Sequence, residues 1–309
     1  MPLYLTEAEV AELLSVEDAL ATVEGSFRRL AAGEVENVPR QRTRFESGFL
    51  AVMWAVDRGL GLAGLKSYAA GRERVHFVVL LFDTETTEPV ALIEADKLGQ
   101  LRTGAASGVA AKYLAREGAG SLGVIGCGWQ ARGQVAAIRS ALPSIDTVVA
   151  YCRSEDRLAE FCNEVGAEAG ESHRDPASQD VVVTVTTSKD PVLRGEWLKP
   201  GALVCAVGAN DPRRRELDNV VLERAAFVCC DSIENAKRES GDLIEPVEAG
   251  VLDWLEVHEL QEVVTAELPG RQADDDLVVF KSNGLAAWDV AVGALVLERA
   301  RERGAGTSL

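Results

Sequence analysis

With three histidines in 309 residues, the chain has few groups for a histidine-built metal centre. His76, His173 and His258 are scattered without ligand spacing, so no metal is expected. The six cysteines (Cys127, Cys152, Cys162, Cys205, Cys229 and Cys230) include no C-x-x-C pair, and most lie in apolar runs that read as strands. The expectation is buried free thiols in a reducing cytosol. No apolar run reaches the roughly 18 residues needed to cross a bilayer. The start, Met-Pro-Leu-Tyr-Leu-Thr-Glu, lacks the basic and apolar regions of a signal peptide. A cytoplasmic protein is therefore expected. Positive charge is also scarce: 32 Lys and Arg face 49 Asp and Glu, for a formal charge of −17. Nucleic acids and anionic membranes need a basic surface, so neither is an expected partner. Any anion site must be assembled locally from a few Arg and Lys.

The chain is long enough for a large core and two domains. Residues 5–33 read as helical, with Thr6 and Glu9 forming a capping signal and Ser15 starting a second segment. From Arg42 the pattern changes to strands: Phe49–Val56, Gly61–Ser67, Val75–Phe82 and Pro89–Glu94. Residues 97–116 read as a long helix rich in Ala and Gly. Beyond 120, candidate strands at 121–125, 147–152, 180–186, 202–207, 226–230 and 277–281 alternate with helices such as 129–142, 155–166 and 217–224. That alternation implies an α/β fold with a Rossmann-type doubly wound parallel sheet. The last helix, 284–303, can return to pack on the first domain. The expected division is 116–285 for the dinucleotide-binding domain, and 1–115 with 286–309 for a discontinuous α+β substrate and dimerisation domain. The several apolar strands of the latter favour a homodimer.

The most informative stretch is Leu122-Gly-Val-Ile-Gly126-Cys-Gly128-Trp-Gln-Ala131. An apolar strand precedes the glycines, and a helical pattern with Val135, Ile138 and Leu142 follows. Gly126 permits the tight turn, Gly128 lets the backbone approach a pyrophosphate, and Ala131 lets helix and strand pack closely. Free N–H groups at the helix N-terminus favour negative charge there. The strand–turn–helix context makes this a dinucleotide-binding turn rather than an ordinary α/β connection. At the end of the second strand of this half, Val148-Val-Ala-Tyr-Cys-Arg153-Ser154 lacks the acid that would bind the ribose 2′-OH of NAD. Arg153 and Ser154 suit the 2′-phosphate, so NADP(H) is expected over NAD(H).

Several separated motifs agree. Among them are Pro39-Arg-Gln-Arg-Thr, Gly64-Leu-Lys66, Leu101-Arg-Thr-Gly-Ala-Ala-Ser, the glycine turn, Thr184-Val-Thr-Thr, Ala206-Val-Gly-Ala-Asn-Asp-Pro, Glu239-Ser-Gly-Asp242 and Phe280-Lys-Ser-Asn-Gly. In this order, over nearly the whole chain, they resemble the ornithine cyclodeaminase/mu-crystallin family. The resemblance implies a small 2-amino or 2-imino acid substrate, whose carboxylate would be clamped by Arg42, Lys66 and Arg102 beside Met53. Arg40 and Arg44 flank Arg42, so the register of that assignment is open. Lys66 and Arg102 are the expected catalytic residues. By itself a lysine in Leu62-Ala-Gly-Leu-Lys is either snorkelling from a strand edge or held for function. Trp129, Gln130, Thr186, Val207, Asn210 and Lys281 join Gly126, Gly128, Ala131, Arg153 and Ser154 as the expected cofactor contacts.

The resemblance also marks a departure. Cyclodeaminases carry an aspartate where this chain has Asn210, and a carboxamide is no general base at neutral pH. The expected activity is therefore NAD(P)H-dependent reduction of cyclic imine or ketimine 2-carboxylates, or a related amino-acid dehydrogenase. The alternatives are an NAD-dependent ornithine cyclodeaminase, making proline and ammonia, and a non-catalytic NADP(H)-binding protein. Glu239 to Asp242 reads as a polar structural loop that closes a helix.

Overall fold

In the computed structural model, residues 1–71 and 75–309 are described. The chain runs β1 (Leu3–Leu5), α1 (Glu7–Leu13), α2 (Val16–Ala31), β2 (Val35–Phe45), β3 (Gly48–Asp57), β4 (Leu62–Ala70), β5 (Val75–Asp83), β6 (Pro89–Glu94) and α3 (Asp96–Leu114). It continues with β7 (Ser121–Ile125), α4 (Trp129–Ala141), β8 (Thr147–Tyr151), α5 (Glu155–Val165), β9 (Glu168–Ala169), α6 (Arg174–Ala177), β10 (Val181–Thr184) and β11 (Leu203–Ala206). The remainder is α7 (Asn219–Arg224), β12 (Ala225–Cys230), α8 (Ile233–Glu239), α9 (Gly241–Glu248), β13 (Val257–Glu259), α10 (Leu260–Val264), β14 (Leu277–Lys281), α11 (Ala286–Arg303) and β15 (Thr307–Ser308). The chain divides into two compact units, Met1–Arg102 with Gly284–Leu309, and Thr103–Asn283. The division falls inside α3, thirteen residues before the 115/116 boundary suggested by the change in strand spacing.

The first unit is built on a seven-stranded sheet ordered β15-β1-β6-β5-β4-β3-β2. Its pairs are antiparallel except β1 with β6. Strand alternation puts Ala51, Met53 and Ala55 on one buried face, joined by Val79, Leu81, Ala91 and Ile93. Helices α2 and α11 meet each other, and α11 packs on β3 and β4. The approach is close at Gly64, where a Cβ would lie 2.9 Å from Val290 Cγ2. Fully buried Trp288 on α11 meets Phe27 of α2 edge-on, with ring centroids 5.3 Å apart. Both capping boxes of the N-terminal helices form, Thr6 with Glu9 and Ser15 with Asp18. The sheet starts at Val35, not near Arg42. The reading missed this because Pro39 interrupts the strand pattern, and the chain accommodates it with a register shift between Val38 and Gln41. Strands β1 and β15 are too short to show a period.

The second unit carries an eight-stranded, all-parallel sheet ordered β13-β12-β14-β11-β10-β7-β8-β9. From β7 the chain winds outward through β8 and β9, then returns to β10 on the other side. That reversal between β7 and β10 is the topological switch point, beside whose carboxyl ends such sheets bind ligands. The strands are buried on both sides and read as continuous apolar runs: Val181–Val183, Leu203–Cys205 and Leu277–Phe280. Among the described residues no helix is long and apolar enough to cross a membrane.

Candidate functional site

Within the first unit, four charged side chains from four elements converge. Arg40 (β2) is 8% exposed, Lys66 (β4) 3%, Arg102 (α3) 5% and Asp289 (α11) 0%. Lys66 Nζ and Arg102 Nε both donate to Asp289 Oδ1, each at 3.0 Å. Arg40 Nη2 lies 3.6 Å from Met53 Sδ, and Met53 stands opposite Lys66 in the β3–β4 register. The Phe77 ring lies 5.0 Å from Lys66 Nζ, and Trp288 flanks the Arg102 guanidinium. Two glycines make room. A Cβ at Gly99 would lie 2.9 Å from Lys66 Nζ, and one at Gly284 would lie 2.8 Å from Arg102 Nη1. Burial, and then Arg102, push the Lys66 ammonium down to about 8, against Asp289, which raises it; Arg40 adds a smaller downward push. Among the described residues, three cations and the Asp289 carboxylate thus sit together out of water. An arginine cannot shed its proton to relieve the excess, so the group is suited to an anionic ligand.

The arginine that reaches this cluster is Arg40, a correction to the choice of Arg42. Arg42 pairs opposite Ala51 further along β2 and is half-buried. The bulge at Pro39–Arg40 decides between them, and the proline is the only local sign of it. Sequence reasoning also missed Asp289. Its one visible signal is an acid alone in the apolar run Leu285–Leu297.

In the second unit the switch point carries the glycine turn. Gly126 has φ +110, and a Cβ there would meet Val185 O at 2.6 Å, so the fold itself requires glycine. Gly128 differs. Its φ is −85, and a Cβ would meet nothing within 4 Å. Nothing in the chain demands glycine at 128, whereas a pyrophosphate lying against the backbone does. Gly128 is the N-cap of α4, no side chain caps that helix, and Trp129 beside it is exposed. These residues fit a dinucleotide. Half-buried Gln130 follows, and buried Ala131 packs beneath. Arg153 and Ser154 are exposed just beyond β8, the Ser154 hydroxyl accepting from Arg157 N as the cap of α5. Behind them His173 meets the Tyr151 ring at 4.7 Å, its imidazolium disfavoured by burial and by Arg153.

The loops after β10 and β11 are held from beneath by Glu216, which is fully buried. Its carboxylate accepts from Thr184 Oγ1 (3.1 Å), Thr186 N (2.6 Å), Thr186 Oγ1 (2.8 Å), Gly208 N (2.7 Å) and Ala209 N (3.2 Å). Burial and Asp242 push the Glu216 carboxyl above its ordinary value, with Lys281 and Thr186 opposing. Asp242 Oδ1 accepts from Glu216 N and Leu217 N. Lys281 corrects an expectation: it is completely buried, with Nζ 2.6 Å from Ala209 O and 2.9 Å from Asp242 Oδ2. It braces the loop from inside and is not presented to a cofactor. The Thr186 hydroxyl is likewise committed to Glu216. Glu239 and Asp242, expected in a structural polar loop that closes a helix, are buried, with Ser240 ending α8 and starting α9. Val207 and Asn210 are half-buried on the β11 loop, and Asp211 is paired with Arg213 at 2.7 Å.

Together these features define a class: a dinucleotide-binding α/β protein whose first, α+β unit buries a cluster of cations. The chain belongs to the ornithine cyclodeaminase/mu-crystallin family, which matches residues 2–304. It is 36% identical to the alanine dehydrogenase of Archaeoglobus fulgidus over 99% of this chain and 98% of that one. The Δ1-pyrroline-2-carboxylate reductase of Thermococcus litoralis, solved with NADH and L-proline, superposes with a TM-score of 0.94 at 31% identity, covering 99% of this chain and 100% of that one. An archaeal alanine dehydrogenase dimer with bound NAD superposes with a TM-score of 0.93 at 35% identity, covering 100% and 98%. These relatives are oxidoreductases acting on C–N bonds, and their structures hold NAD(H).

Proposed function

We propose that the chain is an NADP(H)-dependent reductase of small cyclic imine 2-carboxylates, or an amino-acid dehydrogenase working on the same bond. The observation that carries this reading is the buried group of Arg40, Lys66 and Arg102, the last two sharing the Asp289 carboxylate. A carboxylate ligand balances that charge, and an arginine fixes its angle as well as its position. Arg40 takes the place first assigned to Arg42, with Met53 beneath it.

When bound, the dinucleotide supplies the hydride that the imine carbon receives. The chain's own task is to orient the substrate and manage one proton. Arg40 and Arg102 hold the carboxylate. Lys66 Nζ, poised near pH 8, gives its proton to the imine nitrogen and recovers one from water. Gly126, Gly128, Trp129, Gln130 and Ala131 receive the pyrophosphate end, and Arg153 with Ser154 the 2′-phosphate. Val207 and Asn210 would line the nicotinamide end on the loop that Glu216 holds. The absence of a carboxylate at 210, and the commitment of Asp211 to Arg213, weigh against ornithine deamination.

The first unit is in this reading the substrate and dimerisation domain. Phe45, Leu50 and Trp54 are exposed on one face of β2–β3, an apolar patch suited to a second copy. Free thiols and a nicotinamide coenzyme fit a cytosolic enzyme. The test is a coenzyme-oxidation screen with NADPH and NADH against Δ1-pyrroline-2-carboxylate, its six-membered analogue, and pyruvate with ammonia. NADPH oxidation with a cyclic imine is expected. Silence with all three, together with ammonia release from ornithine, overturns the reading.

A further inference from the structure

We propose that Asp289 is a positioning residue for the reduction: it fixes the Lys66 ammonium and the Arg102 guanidinium as one fork and keeps the proton on Lys66. This rests on the reading of Lys66 as proton donor. The residues come from β4, α3 and α11, and both cations donate to one oxygen, Asp289 Oδ1. The other oxygen, Oδ2, is buried and accepts no hydrogen bond from any described residue. That leaves one carboxylate oxygen turned to the cations and the other without a donor among the described residues, which is costly in a purely structural pair.

The surroundings leave Lys66 Nζ few places to go. Phe77 of β5 stands over it, Met53 of β3 faces it in register, and Gly99 of α3 approaches so closely that a Cβ would lie at 2.9 Å. Among the described residues, the charged groups that act on it are Arg102 from α3, Arg40 from β2 and Asp289 from α11, and of these Asp289 attracts it. Charges this close interact strongly away from water. Without the Asp289 charge three cations would face one another, and only lysine among them can relieve the repulsion by releasing its proton. Asp289 therefore sets the protonation of Lys66 as well as its direction.

The chain has seven lysines, so ε-¹³C-lysine NMR resolves the Lys66 titration, assigned by Lys66→Arg. Wild-type Lys66 is expected to titrate near 8. In Asp289→Asn the titration should drop by about one pH unit or more, and the alkaline limb of kcat/KM for imine reduction should move down with it. An unmoved Lys66 signal with only a lower melting temperature overturns the proposal. Asp289→Glu keeps the charge but shifts it by one methylene. It should hold the Lys66 titration near the wild-type and still lose about fivefold or more in kcat. Full kcat in that variant overturns the positioning role, even where the Asn variant does not fold. If the NMR titration moves as expected while the wild type reduces no imine, the hold of Asp289 on Lys66 stands and the reductase reading fails.

Discussion

Each unit of this protein buries a lysine against carboxylates, yet the two clusters are opposite in balance. In the first unit Arg40, Lys66 and Arg102 outnumber Asp289. In the second, Glu216 and Asp242 outnumber Lys281. The surplus carboxylates of the second unit are answered by its own backbone: Thr186, Gly208 and Ala209 donate to Glu216, and Glu216 and Leu217 to Asp242. In the first unit Lys66 and Arg102 share one oxygen of one carboxylate, Asp289 Oδ1. A buried charge pays its desolvation cost only through close partners. One cluster is thus closed as an internal brace, and the other is the one we propose to be completed by a substrate anion. A buried lysine identifies neither role; the count of partners around it does.

The largest expected effect tests the brace. Lys281→Met strands two buried carboxylates and should cost about 3–5 kcal/mol of stability in denaturant unfolding. Lys66→Met should cost far less, because it removes a cation from a cluster with cations in excess. Equal losses at both sites would erase the contrast.

Activity comes next. Lys66→Ala and Arg102→Ala should lower kcat/KM by roughly 30-fold or more, with NADPH affinity little changed. Arg40→Ala should match them and Arg42→Ala should not, which sharpens the choice that the bulge makes. The pH profile follows in size. Lys66 is needed charged, so imine reduction should hold below about 8 and fall as pH rises through that value. Stability linkage has the opposite slope, since the folded-state pKa lies below the ordinary 10.5. The Lys66 contribution is least favourable below about 8 and improves between 8 and 10.5, readable as the difference in unfolding free energy between wild type and Lys66→Met across that window.

Smaller still is coenzyme choice. Arg153→Ala should lower the preference for NADPH over NADH by about tenfold, read as a ratio of dissociation constants by fluorescence titration. An unchanged ratio removes Arg153 from the coenzyme site. The mildest change is Asn210→Ala, which should alter imine reduction by less than about threefold, because no proton passes through it. Loss of activity there would move the chemistry from the cation cluster to the β11 loop.

The glycine turn and the parallel second unit were legible in the chain because each rests on local pattern. Gly126 and Gly128 follow an apolar strand and open a helix, and the strand–helix alternation repeats at even spacing. Lys66 stood out as a charge in an apolar run, and Arg102 as one opening a small-residue helix. Arg40, Asp289, Glu216 and Lys281 did not reveal their places in this way. A register shift between Val38 and Gln41 brings Arg40 to the cluster, and strand periodicity alone cannot count across a bulge. Asp289 meets Lys66 across 223 positions of chain, and Lys281 meets Ala209 across 72. Sequence determined which segments are helix, strand and turn, since those depend on neighbours within a few positions. Tertiary structure alone decided which buried charges answer one another, since a charge responds to whatever lies within a few ångströms and not to its distance along the chain.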